Sequence, residues 1–242
     1  MWYVPYLRAR HAALIYAYIG IGISLVALAL RFWPGAVHMD AHQVSGGHIY
    51  LSMIVAGSAA LVGGFATVLG LNLAAENDGH LEIAWTKPVS REGYVLGVFA
   101  VDIIAMAACI VFTAVCGFVL VDVFAGYQAV ELGSANDMFD ALLFCGAPLC
   151  IYAWIAAMSA SLKRNRGAVA GMFWPIMFVL ALLPSVPNPA LHALSTALNL
   201  FNPAVLFSAS SHTVLPASHA WGWAVAVMLL AAATLQWRRL QL

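Results

Sequence analysis

The chain has 242 residues, 64% of them hydrophobic and 8% charged, with a formal net charge of zero and a mean hydropathy of +0.91. Soluble domains carry about 25% charged residues, so that class is excluded, and a neutral chain offers no general field to attract nucleic acid. A membrane protein remains, and helices are its expected spanning elements because backbone polar groups in lipid must be satisfied within each segment.

A span needs roughly 20 apolar residues, and six stretches qualify: 12–32, 49–73, 94–121, 141–161, 168–183 and 219–236. The first follows Arg8, Arg10 and His11. It is longer than the roughly 7–15 residues of a signal core, and no small-x-small cleavage site follows, so it reads as a retained helix. The loop after it, "HMDAHQVSGGH", holds His38, Asp40, His42 and His48. Imidazole and carboxylate suit zinc or copper, and alternate residues of an extended strand share a face. The loop fixes no ligand spacing, however, and histidines are common beside lipid headgroups. His38, Asp40 and His42 are thus metal candidates by residue type only, and no metal is assigned.

The second span carries Ala56, Ala60 and Gly64 at four-residue spacing and then Gly70, a stripe expected to let another helix approach closely. Span three contains Asp102, about 13 Å past Gly93 at the helical rise. An ionisable residue at that depth is a functional candidate by default: it either faces a translocation path or takes a structural hydrogen bond from a Tyr, Ser or Thr on a neighbouring helix. Cys109, Cys116, Cys145 and Cys150 lie inside spans three and four without a C-x-x-C pair, as small apolar side chains do. Span five is short and contains Pro175, which predicts a kink.

Residues 184–218, punctuated by Pro184, Pro187, Pro189, Pro203 and Pro216, are too broken to span. One or two short re-entrant or interfacial helices are expected there. Non-helical backbone at membrane depth survives only where protein or a water-filled cavity covers it.

Charge sets the orientation. With six spans, Arg8, Arg10, Lys87, Arg91, Lys163, Arg164, Arg166, Arg238 and Arg239 fall on one side, which the positive-inside rule makes cytoplasmic. The opposite loops carry Asp40, Asp122, Glu131, Asp137 and Asp140, with Arg31 their single cation. Both termini are therefore expected inside, in an all-α membrane protein of one domain, residues 1–242, with the broken outer helices between spans five and six.

The polar segment "AENDGHLEIAWTKPVSREGYVLG", residues 75–97, then lies in the cytoplasm between spans two and three. Asp78 suits an N-cap, Glu82 falls in the first turn where a carboxylate complements the helix dipole, and Leu81 and Trp85 share a face. Pro88 ends the helix. The spacing predicts about two turns of helix bearing a Leu/Trp face ringed by charge. A helix lying passively on headgroups fits these features as well.

Glu76-x-x-Gly79-x-Leu81-Glu82, then Lys87-Pro88-Val89-Ser90-Arg91 with Gly93 and Gly97, resembles the permease subunits of ABC exporters, the ABC type-2 family. In that family this loop runs approximately Glu…Gly-Thr-Leu-Glu…Arg-Pro-Val-Ser-Arg and then Gly-Lys. His80 stands where the family usually has Thr, Lys87 where Arg is frequent, and Val98 where Lys follows the glycine. The lead "MWYVPYLRARH" is short for the interfacial helix of relatives. The resemblance implies a cytoplasmic coupling loop at 75–93, with Glu76, Gly79, Leu81, Glu82, Trp85, Pro88, Ser90 and Arg91 seated on an ATPase subunit. It also implies a plasma-membrane location, that of a bacterial inner membrane, and outward movement of substrate. The apolar walls of the spans suit a hydrophobic or amphipathic substrate.

No G-x-x-x-x-G-K-[ST] phosphate loop occurs in the chain, so ATP and Mg are expected on a separate polypeptide. The expected complex has two ATPase subunits and a second permease half, identical or related, in the lipid bilayer. No catalytic residue is assigned. An intramembrane metalloprotease would need H-E-x-x-H, which is absent, and a haem protein would need histidines within the spans. The rival reading is an ion channel or proton-coupled carrier centred on Asp102.

Overall fold

The computed structural model describes residues 3–32, 49–76, 91–125, 130–161, 166–183, 189–208 and 218–239. Among them the chain is almost entirely helical: α1 (Tyr3–Phe32), β1 (Ile49–Tyr50), α2 (Leu51–Glu76), α3 (Arg91–Ala125), β2 (Val130–Glu131), α4 (Ala135–Phe144), α5 (Gly146–Ser161), α6 (Arg166–Leu182), α7 (Pro189–Asn199), α8 (Pro203–Leu206) and α9 (Ser218–Arg239). Among the described residues five stretches are long and apolar enough to cross a membrane: Ala9–Ala29, Leu51–Leu73, Gly93–Val121, Ala135–Ser159 across α4 and α5, and Ser218–Gln236. These mark the chain as a membrane protein. The stretch expected as the fifth span is helical, but its apolar part, Gly171–Leu182, is shorter than the others. The helix runs on through Pro175.

Short polar devices fix the ends. β1 pairs in parallel with β2, Ile49 opposite Val130 and Tyr50 opposite Glu131, so α2 and α4 start at the same end of the bundle. Gly133, at φ 74°, turns the chain out of β2 in a conformation that side chains with a Cβ resist. Ser134 then caps α4: its Oγ accepts from the Asp137 amide at 3.1 Å, and the Asp137 carboxylate accepts from the Ser134 amide at 3.3 Å, a reciprocal capping box. Asp137 and Asp140, expected in a loop, therefore lie inside α4, and Asp122 lies inside α3.

The core centres on α5, which packs most extensively on α2 and α9, whereas α1 packs chiefly on α3. Helix α2 presents Ala59, Gly63, Ala66 and Gly70 to the interior, all buried. A Cβ at Gly70 would stand 2.6 Å from Ile155 Cγ2, and one at Gly63 would stand 3.0 Å from Ile151 Cδ1. Glycine is what lets α5 come so near. The stripe Ala56–Ala60–Gly64 expected for this role is displaced by one helical face. Ala60 and Gly64 are exposed, and a Cβ at Gly64 meets nothing within 4 Å. Gly70 is the expected residue that does take part. Both stripes have helical spacing, and α2 is apolar all round, so spacing alone does not select between them.

Candidate functional site

Asp102, on the α3 face that turns towards α5, is fully buried. The Tyr152 hydroxyl of α5 donates to its Oδ2 at 2.6 Å, and Tyr152 is itself fully buried. The phenol ring stands edge-on to Phe99, one turn before Asp102, with centroids 6.0 Å apart and planes at 88°. Apolar side chains from α2, α3 and α5, including Leu69, Val98 and Ile155, form the same core. A carboxyl in such surroundings is tolerated only with hydrogen-bond partners, and the tyrosine is one. Asp102 thus ties α3 to the central helix.

Tyr152 is the residue that sequence reasoning did not single out. Its signal was present: it is the one tyrosine within 141–161, a hydroxyl in an apolar run that needs an acceptor once buried. Nothing in the sequence pairs it with a residue 50 positions away.

A second polar cluster lies where α4 and α9 start. His219 is buried, and its Nδ1 is 2.8 Å from Asp140 Oδ1. The imidazole stacks on Phe207 at 4° between planes and meets Phe144 edge-on. Beside it, the turn between α7 and α8 is held by side chains. Asn199 and Asn202, both buried, donate to the carbonyls of Leu180 and Met177 at 3.0 and 2.9 Å. Trp154 and Trp221 donate their indole N–H groups to the carbonyls of Phe201 and Leu200, each at 2.7 Å. The proline-broken segment therefore contains two short helices whose intervening backbone is satisfied by protein groups, as lipid demands. Trp223 performs the same service for Leu143 at the α4–α5 break, at 2.8 Å.

Of the coupling residues, Glu76 is the last residue of α2 and Arg91 the first of α3. Gly79, Leu81, Glu82, Trp85, Pro88 and Ser90 lie outside the described residues, as does the helix expected between Asp78 and Pro88. His38, Asp40 and His42 also lie outside them. Among the described residues no group of three His, Cys, Asp or Glu side chains is placed to hold a metal ion. All four cysteines are free thiols, Cys109 and Cys150 buried.

A cavity of about 420 Å³ opens between α1, α2 and α3, lined by residues such as Tyr16, Gly57 and Phe112. Asp102 is not among its lining residues. No protein-family model matches the chain, and neither the curated proteins nor the solved structures contain a match to it.

Proposed function

We propose that this chain is the permease half of an ATP-driven exporter of the ABC type-2 kind. In this reading it has six spans with both termini in the cytoplasm of a bacterial cell, and a separate ATPase subunit pushes on residues 75–93. The observation that carries the reading is the composition of that connection. A Glu…Gly-x-Leu-Glu…Lys-Pro-Val-Ser-Arg segment joins two long apolar helices that pack on each other. Support also comes from the cations, since Arg91 and Arg166 open α3 and α6 while Arg238 and Arg239 close α9. The sixth span is α6, whose 17 residues measure about 26 Å at the helical rise, against a hydrocarbon thickness of about 30 Å that flanking bilayer thinning accommodates. Its C-terminal turn meets the α7–α8 turn, a contact compatible with that reading.

ATP binding closes the two ATPase subunits, the coupling segments move together, and the spans rearrange to release a hydrophobic or amphipathic substrate outward. The second reading, a channel or proton-coupled carrier, is favoured by one observation, the burial of Asp102. Its bond to Tyr152 within the core of a single chain favours a structural role instead.

The test is a mild-detergent pull-down of the tagged chain from its native membrane. An ATP-binding-cassette subunit in near-equal amount is expected, and a homomer with no nucleotide-binding partner overturns the reading. Within such a complex, Trp85→Ala is expected to weaken ATPase docking by about 2 kcal/mol, roughly thirtyfold. Arg91→Glu is expected to uncouple transport from hydrolysis. Full coupled activity in both variants would show that 75–93 is not the contact.

A further inference from the structure

The cavity between α1, α2 and α3 is built to stay open. α1 is pinned to α3, because a Cβ at Gly20 would stand 2.8 Å from Phe112 Cε1 and the Tyr16 hydroxyl lies 2.9 Å from Thr113 Oγ1. Across the gap on α2, a Cβ at Gly57 meets nothing within 4 Å. Helices pinned on one side and glycine-faced on the other leave a slot. The lining residues run over 16–24 of α1, 53–61 of α2 and 112–121 of α3, about 12 Å along the axes at the helical rise.

Its chemistry selects an apolar occupant. No charged residue lines it. The Ser24, Ser58 and Thr113 hydroxyls are turned to the carbonyls of Gly20, Ile54 and Cys109 at 2.9, 2.6 and 2.7 Å, which leaves their hydrogens engaged. Cys116 adds only a weak thiol donor. Water gains little in such a wall, since apolar cavities of about 150 Å³ stay dry and take benzene. By that scale this one has room for a segment of an alkyl chain. Four of the lining residues, Ile19, Ile23, Met53 and Leu61, are exposed. On membrane-crossing helices such exposed apolar side chains suit hydrocarbon and not water, which makes the bilayer interior the side from which an apolar occupant would come.

We propose that this slot is a binding site for one alkyl chain of an amphiphile, entered from the hydrocarbon core with the headgroup left outside. The assignment rests on the chain being embedded in a membrane and is independent of any ATPase partner. A membrane lipid and a single-chain amphiphile share the required chemistry.

The experiment compares the wild-type chain with Gly57→Phe, whose ring would fill the slot. The control is Gly64→Phe, where a Cβ also meets nothing within 4 Å but which does not line the slot. Native mass spectrometry of the full chain from mild detergent reads retained amphiphile and oligomeric state together. Spin-labelled stearic acid in palmitoyl-oleoyl-phosphatidylcholine vesicles reads saturable binding. Expected is one amphiphile per chain in the wild type and in Gly64→Phe, and a loss of roughly tenfold or more in affinity in Gly57→Phe. The retained mass separates phospholipid from single-chain sources. Absence of saturable binding in the wild type overturns the proposal, even if Gly57→Phe fails to fold. Undiminished binding in Gly57→Phe also overturns it, as does a wild type without amphiphile whose dimer is lost in Gly57→Phe, which would assign the slot to a second copy of the chain.

Discussion

The apolar stretch of α1, Ala9–Ala29, and the stretch that runs through α4 into α5, Ala135–Ser159, have mean hydropathies of 2.1 and 1.9, yet the buried shares of their most apolar windows are 0% and 61%. Hydropathy places both in a membrane and does not distinguish the pillar from the periphery. What differs is the kind of residue. α1 is rich in Ile, Leu and Tyr side chains that stay exposed, among them Tyr18, Ile19 and Leu25. α5 carries Cys150, Ala153 and Ala156, fully buried, around the Tyr152 hydroxyl. Lipid tails are as apolar as leucine, so close packing and hydrogen bonds, not aversion to water, decide which helix is central.

That contrast is open to mutation. The largest effect is expected at Tyr152. Tyr152→Ala opens a cavity in the fully buried core at a cost of about 3–5 kcal/mol, whereas Tyr18→Ala, at a position 69% exposed, changes stability by less than about 0.5 kcal/mol. Thermal labelling of the buried thiols Cys109 and Cys150 with a maleimide dye measures both. Equal losses would erase the distinction between the two helices.

Tyr152→Phe isolates the hydrogen bond, since only the donor to Asp102 disappears. About 1–3 kcal/mol is expected, together with a shift of the Asp102 carboxyl stretch in the infrared. An unshifted stretch would mean that other contacts hold the carboxyl.

Glycine substitutions sharpen the same comparison. Gly70→Ala drives a methyl into Ile155, at about 1–3 kcal/mol for an overpacked contact. Gly22→Ala, on α1 with open space around it, is neutral or stabilising by up to about 1 kcal/mol. Among the destabilising core changes the smallest belongs to His219→Phe, which keeps the stack on Phe207 and loses the Asp140 bond, at about 0.5–1.5 kcal/mol in the same melting assay.

Much of the architecture was legible in the residues. Long apolar runs in a chain with 8% charge specify helices because a backbone in lipid has few other ways to satisfy itself. The proline cluster at 184–203 marked the place where two short helices occur, and Asp102 stood out as an ionisable residue deep in a span. The ends of helices were less legible. Asp137 and Asp140 read as loop acids, although the Ser134–Asp137 capping box makes them part of α4.

By itself, then, the sequence determined that the protein is helical and membrane-embedded, where its apolar helices run, and that one polar connection of distinctive composition joins the second to the third. Only tertiary structure decided that α2 offers Ala59, Gly63, Ala66 and Gly70 to the core in place of the neighbouring small-residue stripe. It also decided that Tyr152 answers Asp102 across 50 residues, that His219 answers Asp140 across 79, and that α1 stands off from α2 to leave a slot. The reason lies in the solvent. In water, one polar face per helix announces which side turns inward; a helix apolar on every side carries no such record, and its orientation is set by the fit of the neighbours that meet it.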